Sequence, residues 1–332
     1  MVQLQPLVFA ANKLGLDSAR IFGQLGLRLE DIANTNARFR ASLEFDIWNA
    51  LELASGDPCI GVRMGDLIEV GALGAYDYML RNCATLRAAI TTADRYMRVV
   101  DDLTRISVID EGATSRVRLW RIGDYPMPGH GIECTFLAIV RFIGDANPNV
   151  VAREMRFSHR MTGALEERTR RFKCPVIFEQ AHAECVLAAE ALDLPNPRAD
   201  PRLGQVLEEH VRNMLASLPA EDALMHRARL SLATLLRAQN ASLETLADEL
   251  HMSARTLRRR LEEHGSSYRA LLDELRAQLA DHYVARTDQS FEQIAARLGF
   301  TEPSTFYRAF KRWLGTTPAA YRVDGGRGNG NK

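Results

Sequence analysis

Two groups of side chains in this 332-residue chain have types and spacings suited to chemistry. The first is basic and lies near the C-terminus. Ser253, Ala254, Arg255, Arg258 and Arg259 recur at helical spacing, and further on Pro303, Ser304, Thr305, Arg308 and Lys311 do the same. Arginine's planar fork matches a guanine edge bidentately, while serine, threonine and lysine serve phosphates or bases. The chemistry indicated is nucleic-acid recognition. The second group is mixed: Arg95, His130, Glu133, Phe157, His159 and Cys174 suggest a polar pocket for a small effector, and helical spacing brings His130, Glu133 and Cys134 together. The competing reading is structural, with His159 ending a strand and Glu133 pairing with an arginine. Catalysis finds no comparable support, because GxSxG, Walker A, HExxH and GxGxxG patterns are all missing from the sequence.

The basic residues need helices to present them. Two segments are similar in register: Ser242–Gly265, SLETLADELHMSARTLRRRLEEHG, and Ser290–Gly315, SFEQIAARLGFTEPSTFYRAFKRWLG. Each opens on serine, a good N-cap, with glutamate soon after. Each puts an alanine, Ala247 or Ala295, where two steeply crossing helices must approach closely. Leucine follows three residues later (Leu250, Leu298) and Met252 or Phe300 five residues later. His251 and Gly299 supply the tight turn. A second helix then buries Leu257 and Leu261, or Phe306 and Phe310, and turns its basic face outward, as the reading helix of a helix-turn-helix does. Pro303 has no donor to offer a base and suits a helix start instead. A pair of helical hairpins with merely solvated basic faces is the alternative; two copies in register, both basic on the same face, weigh against it. Between the copies, Leu271, Leu272, Leu275, Leu279 and Tyr283 form one apolar stripe over residues 267–285. That helix would be about 28 Å long at ~1.5 Å per residue. Successive major grooves on one face lie ~34 Å apart, so such a linker suits two readers in adjacent grooves.

The N-terminal part reads as α+β. Residues 1–60 carry helical periodicity, with one helix from about Ser42 to Ser55, and further helices follow from Gly71 and over ATLRAAITTADRYMRVV. TRISVID and SRVRLWRI alternate apolar and polar residues around Glu111-Gly112, which predicts a hairpin. CTFLAIVRFI reads as a buried helix, and VVAREMRFSH and PVIFEQ as strands with a helix between them. The Pro-rich LDLPNPRADP reads as an ordered extended loop. From Arg202 onward nothing resembles a strand.

Composition sets limits. The 42 basic residues equal the 42 acidic ones, yet residues 1–225 carry a net −5, residues 226–323 a net +4, and the tail 324–332 a net +1. Neutrality thus conceals an acidic part and a basic part, a split that hints at nucleic acid. The Gly/Asn-rich tail DGGRGNGNK is expected to be disordered. Cys59, Cys83, Cys134, Cys174 and Cys185 show no CxxC spacing, so neither a disulfide framework nor a zinc site is indicated, and a reducing cytoplasm fits. Cys134 and Cys174 suit small buried hydrophobes better than redox sensors. The longest stretch free of Asp, Glu, Lys and Arg is Met1–Asn12, too short to span a bilayer and without signal-peptide features, so neither membrane insertion nor secretion is expected.

The block from about Leu243 to Arg322 resembles the DNA-binding domain of AraC/XylS-type bacterial transcription regulators. MSARTLRRRLEEHG is similar to the family's M-S-x-R-T-L-x-R-x-L-x-x-x-G, and LRAQLADHYV keeps its arginine and alanine at Arg276 and Ala280. IAARLGFTEPSTFYRAFKRWLGTTPAAYR is similar to I-A-x-x-L-G-F-x-E-x-S-x-F-x-R-A-F-K-R-W-x-G-x-T-P-x-x-Y-R, a long and specific signature. By this resemblance Arg255, Arg258 and Arg259, then Pro303, Ser304, Thr305 and Arg308, occupy base-reading positions. The N-terminal part resembles, less specifically, the subgroup with an arabinose-binding-like sensor domain, through GALGAYDYMLRNCATLRAAITTADRYMRV, FSHR, RFKCPVIF and ALDLPNPRADPRL. It departs from the common pattern at Gly74-Ala75-Tyr76, where many members have Gly-Tyr, and at Phe172-Lys173-Cys174, where many have Phe-Gly. The alkyl-transfer repair proteins that share this DNA-binding module carry a four-cysteine zinc cluster, which this chain does not have.

The expected architecture is an α+β sensor domain (1–200), a helical connector (201–225), an all-α domain with two helix-turn-helix units joined by a linker helix (226–323), and a tail (324–332). The expected function is a cytoplasmic, sequence-specific transcription regulator, an activator, with no enzymatic activity, cofactor or metal. Its expected partners are double-stranded DNA, RNA polymerase, a small effector and a second copy of itself. Two rival readings are an N-terminal domain that only dimerises and an enzyme fused to a DNA-binding module.

Overall fold

The computed structural model describes residues 4–33, 39, 43–122, 127–218 and 220–323. The tail expected to be disordered lies outside them. The chain forms two compact units, one of residues 1–120 and 127–217, the other of residues 121–126 and 218–332.

The first unit is α+β, as its patterning predicts. It opens with helices α1 (Gln5–Lys13), α2 (Ser18–Gln24), α3 (Leu29–Ala33), α4 (Leu43–Ser55), α5 (Ile60–Gly65), α6 (Ala75–Arg81) and α7 (Leu86–Tyr96). Strands β1 (Thr104–Glu111) and β2 (Thr114–Arg121) follow, joined through Gly112 at φ +62°. Then come α8 (Gly129–Ala146), β3 (Glu154–Arg156), α9 (Leu165–Phe172), β4 (Val176–Ile177), β5 (Ala183–Ala188) and α10 (Pro201–Ser217). The five strands form one sheet in the order β1-β2-β5-β3-β4. β5 runs antiparallel to both β2 and β3, and β3 runs parallel to β4.

β5 is the central strand, and sequence reading missed it. AECVLA is short and rich in alanine, and it carries a glutamate, so neither alternation nor β-branching marks it. Tertiary pairing makes it a strand, with Val117 opposite Cys185 and Met155 opposite the same residue. One sheet face is apolar: Val117, Leu119, Met155, Ala183, Cys185 and Leu187 are buried in the main core with Phe136, Phe157 and Phe172. On the other face Arg118 lies opposite Glu184 across β2 and β5. Glu184 is 3% exposed and accepts from Arg118 Nε at 2.7 Å and Arg116 Nη1 at 3.0 Å. Burial pushes its carboxyl pKa up, but these two guanidinium partners outweigh burial and hold it below the ordinary value.

α5 and α8 pack backbone to backbone. A Cβ on Gly61 would sit 2.5 Å from the His130 carbonyl oxygen, and one on Gly65 would sit 2.9 Å from that of Cys134. The segment 201–225, read from sequence as a connector, divides between the units. α10 buries Val211 in the core of the first unit and receives a hydrogen bond from Tyr96 at Glu208 (2.8 Å). α11 (Ala220–Arg237) opens the second unit. Lys173, at the point of departure from the common Phe-Gly pattern, closes α9 with φ +58°, the left-handed conformation glycine adopts freely.

The second unit is all-α. After α11 come α12 (Leu243–Glu249), α13 (Ala254–Glu263), α14 (Tyr268–Arg286), α15 (Phe291–Arg297), α16 (Pro303–Leu314) and α17 (Pro318–Val323). Among the described residues no helix is long and apolar enough to cross a membrane.

Candidate nucleic-acid interface

The two repeats fold as two helix-turn-helix units. Ser242 caps α12 in a box with Thr245, and Ser290 caps α15 in a box with Gln293. Each first helix ends on a leucine followed by a residue with positive φ, His251 at 56° and Gly299 at 71°. The turn requires this left-handed residue, which glycine adopts without strain and histidine does not. Ala247 and Ala295 are fully buried at the helix crossings, together with Leu250 and Leu298. Leu257 and Leu261 bury one face of α13; Phe306, Ala309 and Phe310 bury one face of α16.

The opposite faces meet solvent. Ser253 is the N-cap of α13 and accepts from Thr256 N; Arg255, Arg258 and Arg259 are exposed beyond it. On α16, Ser304, Thr305, Arg308 and Lys311 are exposed. Ala254 and Pro303 are half-buried, and Pro303 is the first helical residue, the place for which its missing donor suits it. Arg259 leans on Glu263 at 3.4 Å, and Arg308 reaches Thr305 Oγ1 at 3.4 Å. Arg312 is on the same helix but is held by both carboxylate oxygens of Asp273 on α14, at 2.7 and 2.8 Å.

α14 has 19 residues, which at ~1.5 Å per residue gives about the length its apolar stripe predicts. Sequence spacing did not reveal how it grips the second reader. Arg276 donates from Nε to the Leu298 carbonyl (2.8 Å) and from Nη2 to that of Gly299 (3.0 Å), and its guanidinium lies 4.5 Å from the Phe300 ring centre. One side chain thus caps the end of α15 and fixes the turn before α16. Arg322 of α17 similarly donates to the carbonyls of Val284 and Gln289 and covers the Phe291 ring at 4.2 Å. Gln239 adds a bond to the Ala296 carbonyl at 2.9 Å.

In the first unit the expected effector residues divide. Glu133 is fully buried and accepts from Arg168 Nε at 2.9 Å, with His159 Nε2 at 3.0 Å. Arg168, also fully buried, spends its remaining donors on the Pro58 and Ala164 carbonyls and the Cys59 sulfur. This is the arginine pairing that the structural reading anticipated. Phe157 is core, ringed by Phe136, Phe172, Phe178 and His159 at 5.4 to 5.9 Å. His130 turns to Glu52 (3.2 Å) and the Trp48 ring. Arg95 joins neither set; it lies on α7, well exposed, and pairs with Glu208 at 3.5 Å. The five cysteines are unpaired, and burial pushes the thiol pKa of Cys134 up to about 12 and that of Cys174 to about 11. Such thiols stay protonated at neutral pH. Among the described residues no group of three or more His, Cys, Asp or Glu side chains is placed to hold a metal ion.

Two helix-turn-helix readers on one all-α unit, following an α+β unit along the chain, define a DNA-binding transcription regulator. Residues 15–196 match the N-terminal arabinose-binding domain of AraC transcription regulators, and residues 246–323 match a helix-turn-helix domain. The chain belongs to this AraC-type family. It is 29% identical to the ornithine utilization regulator of Pseudomonas aeruginosa, over 96% of each chain. It is also 29% identical to the transcriptional regulator VirS of Mycobacterium tuberculosis, over 81% of this chain and 80% of VirS. The crystal structure of the regulator CdpR from Pseudomonas aeruginosa aligns with 89% of this chain and 96% of its own, at 21% identity and a TM-score of 0.40.

Proposed function

We propose that this regulator is a sequence-specific transcription activator that reads two successive major grooves, responds to a small effector through its N-terminal unit, acts as a dimer and recruits RNA polymerase. The observation that carries the DNA-reading part is the pairing of α13 and α16, each with a buried apolar face and an exposed face bearing Arg255, Arg258 and Arg259, or Ser304, Thr305, Arg308 and Lys311. Base-edge contacts from the arginines give sequence preference, while phosphate contacts position the chain on the duplex.

An effector site is supported by a different observation. Glu133 Oε2, His159 Nδ1 and His130 Nδ1 are buried without a hydrogen-bond partner. Buried polar atoms are rarely left unpaired, since each costs roughly 1–3 kcal/mol. A ligand that donates a hydrogen bond to Glu133 would satisfy it, and affinity that differs between DNA-competent and incompetent states would shift their equilibrium. The rival in which the N-terminal unit only dimerises draws on the exposed Leu203 and Val206 of α10.

Footprinting of the gene's own upstream region, followed by titration of the protected duplex, tests the reading. Protection over two successive turns is expected. Arg258→Ala with Arg308→Ala should abolish discrimination between that duplex and an unrelated one. Unchanged affinity at fixed salt, in a variant that melts like the parent, would overturn it. A metabolite panel read by thermal stabilisation separates effector sensing from dimerisation alone.

A further inference from the structure

We propose that Tyr307 is a further DNA-contacting residue of the second reader, its hydroxyl donating to a backbone phosphate. This rests on the assignment of α16 as a recognition helix. The repeat register carries the first step. Leu257 and Leu261 occupy the buried positions of α13 that Phe306 and Phe310 occupy in α16. The residue after the first of these is Arg258 in one copy and Tyr307 in the other. Tyr307 therefore stands where the first reader carries an exposed arginine. Along α16 it shares the outer strip with Ser304, three residues before it, and Lys311, four residues after.

The ring is held in place. It meets the Phe291 ring edge-on at 5.8 Å and 79°, and the Phe306 ring at 5.9 Å. Phe291 is in turn covered by Arg322, whose two carbonyl bonds fix its own position. The hydroxyl, by contrast, has no partner among the described residues, and it is not among the atoms sealed from solvent without one. A tyrosine fixed at the ring and free at the hydroxyl loses little entropy on binding. Its lean toward Phe291, the first residue of α15, sets the direction. The first helix of a helix-turn-helix crosses the sugar-phosphate backbone, and tyrosine is among the side chains that donate to phosphate.

A neutral donor leaves a signature that an arginine does not. A cation on a phosphate releases counterions, so its loss lowers the slope of log affinity against log salt by ~0.9; loss of a neutral hydroxyl leaves the slope unchanged. Full-length Tyr307→Phe is titrated against the footprinted duplex and against an unrelated duplex at several salt concentrations, beside Arg308→Ala. The expected result for Tyr307→Phe is an affinity about tenfold lower on both duplexes, as for one bond to a charged acceptor, with the parent's salt slope and melting temperature. Parental affinity on both duplexes would overturn the proposal, as would a loss confined to the footprinted duplex, which indicates a base contact. If Arg308→Ala also keeps the parental affinity and slope, the assignment of α16 as a reader fails, and the Tyr307 contact fails with it.

Discussion

Replacing Arg276 by alanine removes the link between the linker helix and the second reader. Two charge-assisted bonds disappear, to the carbonyls of Leu298 and Gly299, together with contact to the Phe300 ring. Bonds from a charged donor are worth ~1.5–3 kcal/mol each and the ring contact ~0.5–1 kcal/mol. Arg276 is half-buried, so water re-enters and satisfies part of what is lost. A net loss of about 3 kcal/mol follows, roughly a hundredfold in the opening equilibrium of α15–α17. Amide hydrogen exchange measures this locally in the intact chain. Amides of α15 and α16 should lose about two orders of magnitude of protection, and those of β5 should keep theirs. DNA affinity should fall toward that of one reader, because α16 no longer holds its orientation. Lysine at this position should restore only part of the effect, since an ammonium does not span two carbonyls as the guanidinium fork does. Unchanged protection in α15 and α16 would refute the assignment of Arg276 as the clamp.

Three further outcomes follow from the first unit. Arg168→Ala leaves the buried Glu133 with His159 as its remaining hydrogen-bond partner and should destabilise the unit by roughly 3 kcal/mol, read from urea denaturation. Glu184, whose pKa in the folded chain lies below the ordinary 4.5, contributes stability that is fully present above that value and lost as pH falls through the folded pKa. The stability gap between the parent and Glu184→Gln should therefore be constant near neutrality and narrow below about pH 4.5. Lys173→Gly relieves a left-handed residue at the end of α9; left-handed strain of ~1–2 kcal/mol less the ~0.5–1 kcal/mol entropic cost of glycine predicts a gain of about 1 kcal/mol, measured as a raised melting temperature.

Sequence reading succeeded where local physics decides. The capping serines, the alanines at the crossings and the turn residues His251 and Gly299 all act within one helix-turn-helix. Their spacing therefore placed α12 and α13 within 242–265, α15 and α16 within 290–315, and the linker helix to within one residue at each end. The readers' outer faces were legible for the same reason, since a helix with a strict apolar stripe leaves its polar residues no other side. Tyr307 carries no local mark, because an aromatic residue at helical spacing resembles core; only the register of the repeat sets it beside Arg258. Residue type alone groups Arg95 with His159, but the fold pairs Arg95 on α7 with Glu208 on α10.

By itself, then, the sequence determined two helical readers, an α+β partner and an acid-base division of charge, because periodicity and capping are properties of neighbouring residues. Only the tertiary structure decided the rest. It made AECVLA the central strand by giving it partners on both sides, turned Glu133 toward an arginine 35 positions away, and set Arg276 across the turn at Gly299. Each is a contact between groups distant along the chain, and no local preference encodes which distant group will arrive.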